Sequence, residues 1–135
     1  MAVSNSSLIG ANFGASGTTA LFALGTSASG TDGTSWQYCE ATATFVTGEL
    51  VFVNPAGTAK TFLTASLTAN AEGVMIAAAQ GIISQGEFGW FAGRGRNLYV
   101  LCTGTVTAGG ESGVVLSANS GRLQNGLAGG VGNTL

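Results

Sequence analysis

The stretch from Ile82 to Leu123 decides the fold, and it reads IISQGEFGWFAGRGRNLYVLCTGTVTAGGESGVVLSANSGRL. Apolar runs of strand length alternate in it with glycine-containing breaks. Short apolar runs bounded by glycine and asparagine are typical of β-strands joined by tight turns. This stretch therefore predicts the β core of a small module.

The same pattern continues upstream of this stretch. Aromatic and β-branched residues alternate with other types from Trp36 to Val46, which predicts a strand. The continuous apolar run 50–53 predicts a buried strand, and residues 54–57 (Asn-Pro-Ala-Gly) predict the turn that ends it. One segment, Thr64 to Glu72, is compatible with a short helix. The expected fold class is all-β, a small β-barrel or β-sandwich with at most one short helix.

Composition divides the chain into three parts. Residues 35–125 carry the β module, and residues 126–135 are a Gly-rich tail. Residues 1–34 are rich in Gly, Ala, Ser and Thr, with scattered large apolar residues. This first part predicts an extended arm that lies across a neighbour or adds a strand to a sheet edge. A disordered tail is the alternative.

Two sets of residues are singled out by the pattern. Large apolar side chains on predicted strands are the expected core: Trp36, Phe45, Val51, Val53, Ile82, Trp90, Val100 and Val115. Three arginines and the apolar residues of the arm are candidate contacts to a partner protein: Arg94, Arg96, Arg122, Leu8, Ile9, Phe13, Leu21 and Phe22. Arginine suits bidentate contacts to carboxylates, although a turn with solvent-facing arginines explains the Gly-Arg-Gly-Arg run equally well.

Charged residues are scarce. They make up 7% of the chain, against roughly 25% in an ordinary soluble domain. A surface with so few charges favours association with other subunits, and the alternative is a Gly/Ala/Ser/Thr surface that scores as only mildly apolar. The net charge is −2 with four basic residues in all, so we expect neither nucleic-acid binding nor electrostatic membrane binding.

The sequence contains no residue pattern that is typical of a catalytic or metal-binding site. The chain has no histidine, its six acidic residues are dispersed singly, and its two cysteines, Cys39 and Cys102, are far apart in sequence. These features predict no enzyme, no metal and no cofactor. The N-terminus lacks the features of a secretory signal, so we expect synthesis in a reducing cytoplasm and two buried thiols, with a late disulfide as the alternative.

Several short glycine-based motifs resemble the head decoration (cement) proteins of tailed bacteriophages. The motifs are GVMIA at 73–77, II-x-x-G-x-x-GWF at 82–91, GRG at 93–95, AGG at 108–110 and GRL at 121–123. The similarity covers roughly residues 45–125. It implies a β-rich module on the outer capsid, often a trimer at pseudo-threefold positions.

The resemblance implies a mechanical function. The protein would bind the major capsid protein as a homotrimer on the capsid exterior, after synthesis in the host cytoplasm, and would stabilise the shell against the pressure of packed DNA. The main alternative is a receptor- or carbohydrate-binding β module of a head or tail fibre. Trp36 and Tyr38 are the candidate pair of exposed aromatic residues for that role. A glycosidase-like enzyme with two carboxylates is the third possibility.

Overall fold

A computed structural model of the chain describes residues 11–62, 75–95, 98–103, 114–116 and 121–125. These residues form ten strands and contain no helix, so the all-β prediction is confirmed for them. The strands are β1 (Ser16–Gly17), β2 (Ser27–Ser29), β3 (Ser35–Ala41), β4 (Leu50–Val53), β5 (Thr58–Thr61), β6 (Met75–Ala79), β7 (Phe88–Arg94), β8 (Cys102–Thr103), β9 (Val114–Leu116) and β10 (Leu123–Asn125).

Five strands close into a small barrel. Hydrogen-bonded neighbours follow the order β7, β6, β4, β5 and β3, and β3 pairs with β7 to complete the ring. The β3–β5 pair is parallel, and the other four pairs are antiparallel. β1 adds to the edge of β7, β2 adds to the edge of β3, and β8, β10 and β9 form a second, three-stranded sheet. Closure pairs the long strands on both edges, which removes open edges that could bind other chains.

Small side chains fill most of the barrel interior. Alternation along the strands places every second residue inside, and these are Cys39, Ala41, Val51, Val53, Ala59, Ala77, Ala79 and Phe91. Phe45 and Ile83 complete the interior, and their backbones form a bridge with N···O distances of 2.8 and 3.0 Å. The rings of Phe45 and Phe91 meet edge to face, 5.8 Å apart. The alanines leave the room that these two rings occupy in a narrow barrel.

The predicted core is partly right. Phe45, Val51, Val53 and Trp90 are at most 2% exposed. Trp36 is half-buried on the outer face of β3, and Val115 lies on β9.

Two core predictions are wrong. Ile82 is 68% exposed, because the bridge between Phe45 and Ile83 turns the neighbouring Ile83 inward instead. Val100 is 37% exposed, because the strand in this part of the chain is confined to Cys102–Thr103 and Val100 lies before it.

Some predictions fall outside the described residues. They are the short helix at 64–72, the tail at 126–135, and the candidate contacts Leu8, Ile9 and Arg96. The part of the predicted arm that the structure describes, residues 11–34, supplies β1 and β2 to the sheet of the same chain.

Candidate functional site

An aromatic face covers the outside of the barrel where β3 and β7 pair. Trp36 and Tyr38 point outward from β3, and Phe88 and Trp90 point outward from β7. Tyr38 lies directly opposite Trp90 in the ladder, with ring centroids 5.1 Å apart. Cross-strand aromatic pairs of this kind stabilise a sheet, so the aromatic face contributes to the stability of the barrel.

The N-terminal segment, residues 11–29, lies across this aromatic face. Phe13 stacks on Trp36 with centroids 4.8 Å apart and an interplanar angle of 3°. Phe22 meets Tyr38 and Trp90 edge to face, at 5.3 Å in each case. The backbone N–H of Leu21 donates to the Tyr38 hydroxyl at 3.1 Å.

These contacts correct two sequence interpretations. Phe13 and Phe22, predicted to contact a partner, pack instead against the module of their own chain, whereas Leu21 is 77% exposed. Trp36 and Tyr38 are not an exposed aromatic pair, because Tyr38 is 3% exposed and Phe13 stacks on Trp36.

A groove remains between the N-terminal segment and the aromatic face. It has a volume of about 330 Å³. Its lining combines aromatic rings with small and hydroxyl-bearing residues: Asn12, Ala15, Ser16, Gly17, Thr18, Thr19, Leu21, Phe22, Tyr38, Phe88 and Trp90. Sequence reasoning missed this groove, because one of its walls is a Gly-, Ala-, Ser- and Thr-rich segment whose composition predicts little local structure.

A second surface, the apolar end, lies at one end of the barrel. We define it by four exposed side chains: Val46 (45% exposed), Ile82 (68%), Tyr99 (68%) and Val100 (37%). Val46 and Ile82 flank the bridged pair Phe45 and Ile83, and alternation turns them away from the core.

Backbone contacts fasten Tyr99 and Val100 to the same end. The Gln80 side chain accepts from the N–H of Tyr99 at 2.9 Å and donates to its carbonyl at 3.0 Å. The N–H of Leu101 donates to the carbonyl of Gly48 at 2.7 Å. Gly48 has a φ of +86°, and a Cβ there would come within 3.0 Å of Leu101 N, so only glycine permits this close approach.

The two described arginines of the predicted contact set lie at opposite ends of the barrel. Arg122 is exposed and follows Gly121, which accepts from the N–H of Leu50 at the apolar end. Arg94 is exposed at the last residue of β7, beyond the Ala78–Ala92 pair and towards the start of β6. A single flat partner surface at one end therefore cannot contact both side chains.

The described residues contain few groups that are suited to metal binding or catalysis. Among them, no three His, Cys, Asp or Glu side chains are grouped closely enough to hold a metal ion. Burial raises the pKa of the Cys39 thiol to about 12, so the thiol stays protonated even at mildly alkaline pH and is not an activated nucleophile. A hydrogen bond from the Thr34 backbone lowers the pKa of the Asp32 carboxyl, which caps the turn between β2 and β3.

Comparisons of this chain with protein-family models, curated proteins and solved structures found no match. In the described part of the chain, no helix is long and apolar enough to cross a membrane.

Proposed function

We propose that this protein is a structural virion protein, a decoration or cement protein that binds the outer surface of the major capsid protein shell of a tailed bacteriophage. It acts there as a homotrimer, after synthesis in the host cytoplasm. It stabilises the shell against internal DNA pressure by burying surface across capsomer boundaries, and it catalyses no reaction.

The observation that carries this proposal is the apolar end. Val46, Ile82, Tyr99 and Val100 present exposed apolar side chains on a chain in which only 7% of residues are charged. Exposed apolar surface of this kind marks contacts with other proteins. Tyrosine is also enriched at the centres of protein interfaces.

The barrel suits a static load-bearing part. Its strands are paired around a closed ring, and its interior is filled by side chains rather than left open. Because all five strands are hydrogen-bonded to neighbours on both sides, a closed barrel deforms under load mainly by breaking inter-strand hydrogen bonds. The resemblance of the glycine motifs to cement proteins supplies the specific partner, the major capsid protein.

The first experiment compares capsids assembled with and without this protein. We expect the complete particles to survive higher temperature and stronger osmotic shock, and the purified protein to sediment with shells that lack it. A copy number in the hundreds per particle would fit a cement protein, whereas tens or fewer would fit a fibre. Equal stability of the two kinds of particle would overturn the proposal.

A matched pair of variants tests the surface. Ile82→Glu places a charge in the apolar end, while Ile76→Glu places the same charge towards the other end of the barrel, where Ile76 is 44% exposed. We expect Ile82→Glu to weaken shell binding by about tenfold or more, and Ile76→Glu to leave it within about twofold. Far-ultraviolet circular dichroism checks that both variants fold.

A further inference from the structure

We propose that the groove between the N-terminal segment and the aromatic face binds a neutral saccharide of one or two rings. The groove lies on the wall of the barrel formed by β3 and β7, whereas the apolar end lies at the bridge of Phe45 and Ile83. This proposal does not depend on the proposed function.

The size of the groove suits a small ligand. Its volume of about 330 Å³ lies near the lower limit of the roughly 300–1,000 Å³ that small-molecule sites span. Its floor is rigid, because Trp90 is held between Phe22, Phe13 and Tyr38 at centroid distances of 5.1 to 5.3 Å. A ligand would therefore meet a preformed surface, which lowers the entropic cost of binding.

The floor offers aromatic rings and the rim offers hydrogen-bonding groups. Phe22 and Phe88 are half-buried, so part of each side chain remains accessible. The negatively charged face of an aromatic ring attracts the polarised C–H groups on the flat side of a sugar. Asn12, Ser16, Thr18 and Thr19 supply the polar rim.

The rim residues keep hydrogen-bonding capacity beyond their contacts within the protein. The Asn12 side-chain oxygen accepts from Gly14 N at 3.0 Å, which leaves its amide NH₂ group as a donor. The Ser16 hydroxyl donates to Glu87 Oε2 at 3.0 Å, which leaves its oxygen as an acceptor. A sugar ring presents hydroxyl groups around an apolar face, and this combination matches the rim and the floor together.

Charge decides against other small ligands. Among the described residues that line the groove, none carries a charge. A nucleotide or a fatty acid would bring a phosphate or carboxylate that lacks a cationic partner there, at a large desolvation cost. A fully apolar side chain of a partner protein would leave the hydroxyl-bearing rim unused.

Gly17 provides a way to block the groove without removing any contact. It lines the groove, a Cβ there would meet nothing within 4 Å, and its φ is not left-handed. Gly17→Leu therefore adds an isobutyl group to open space. Gly81 shares the same openness but does not line the groove, so Gly81→Leu is the matched control.

The experiment titrates the full-length protein with a panel of neutral mono- and disaccharides, including glucose, galactose, N-acetylglucosamine, maltose and lactose. Saturation-transfer NMR identifies a binder, and calorimetry measures its affinity. We expect at least one sugar to bind, Gly17→Leu to weaken it by about tenfold or more, and Gly81→Leu to leave it within about twofold.

Three results would overturn the proposal. The first is that no sugar of the panel binds. The second is a sugar that binds Gly17→Leu as well as it binds the wild type. The third is that indole, used as a probe for an aromatic side chain, binds the groove more tightly than every sugar of the panel; the groove would then receive a protein partner. Shell binding, measured on Gly17→Leu, is expected to stay unchanged, because Gly17 lines the groove and lies away from the apolar end.

Discussion

Gly57 fixes the contact between the turn after β4 and the N-terminal segment. Its φ is +81°, and a Cβ there would come within 2.6 Å of Gly25 N and of Leu24 Cβ. We expect Gly57→Ala to lower the free energy of unfolding by roughly 2 kcal/mol or more, because it adds backbone strain to a steric overlap. Urea denaturation followed by intrinsic tryptophan fluorescence measures this loss.

Gly81→Ala is the control for that measurement. Gly81 has open space around its Cβ position and no left-handed φ, so its substitution is expected to change stability by no more than about 0.5 kcal/mol. Equal losses in the two variants would show that glycine content in general, rather than the contact at Gly57, determines the effect.

Cys39 makes the stability depend on pH. Burial raises the pKa of its thiol from 9.0 to about 12. The folded state therefore holds the proton between these values while the unfolded chain releases it. The contribution of the neutral thiol is complete below about pH 9 and is lost as the pH rises towards 12, by up to about 1.4 kcal/mol per pH unit.

The test compares wild type with Cys39→Ala in chemical denaturation at about pH 8 and about pH 10. Both proteins contain the same tyrosines and lysine, so the difference between their slopes isolates the thiol. We expect stability to fall more steeply with pH in the wild type. Parallel slopes would mean that the Cys39 thiol also ionises readily in the folded protein.

Residue burial is easiest to predict where a strand is apolar on both of its faces. The run Leu50 to Val53 is apolar throughout, and all four residues are buried. In the pair Ile82 and Ile83, alternation predicts that one side chain is inside and one outside, but both are isoleucine. The choice depends on the bridge to Phe45, a contact between residues 38 positions apart, which no local pattern contains.

The N-terminal segment packs on the outside of the barrel and adds β1 and β2 to the edges of β7 and β3. Its own strands, β1 and β2, have two and three residues, so its attachment rests on the side chains that it packs on the aromatic face. Phe22 and Leu21 are adjacent in sequence, yet Phe22 is packed between Tyr38 and Trp90 whereas Leu21 is 77% exposed. Leu21 is therefore a matched control for the effect of Phe22 on stability.

We expect Phe22→Ala to lower the free energy of unfolding by roughly 1–3 kcal/mol, because it removes a half-buried ring and two aromatic contacts. It should also shift tryptophan emission to longer wavelength, because water gains access to Trp90. Leu21→Ala is expected to change stability by no more than about 0.5 kcal/mol. If the two variants behaved alike, residues 11–29 would be a loosely attached arm in solution.

Composition could not reveal how this segment folds. Residues 11–29 contain much Gly, Ala, Ser and Thr, which predicts little local structure. Their order comes from the barrel, since Trp36, Tyr38 and Trp90 form the surface on which Phe13 and Phe22 pack. The strands of the barrel, by contrast, have strong local patterns, and the turn at Asn54 to Gly57 was predictable from its sequence.

At the scale of the whole molecule, charged residues are sparse, at 7% of the chain. Arg94 and Arg122 lie at opposite ends of the barrel, while four exposed apolar side chains share one end. If the apolar end carries the association, its free energy comes from burial of apolar surface. Such burial responds weakly to screening by salt and gives a negative heat-capacity change.

Shell binding is therefore expected to vary by less than about threefold between about 50 mM and about 500 mM sodium chloride. Arg94→Ala and Arg122→Ala should each change the affinity less than Ile82→Glu does, because exposed ion pairs contribute only about 0–1 kcal/mol. Calorimetry at several temperatures gives the heat-capacity change. A loss of affinity of tenfold or more at high salt, matched by a similar loss in Arg122→Ala, would transfer the main role from the apolar side chains to that arginine.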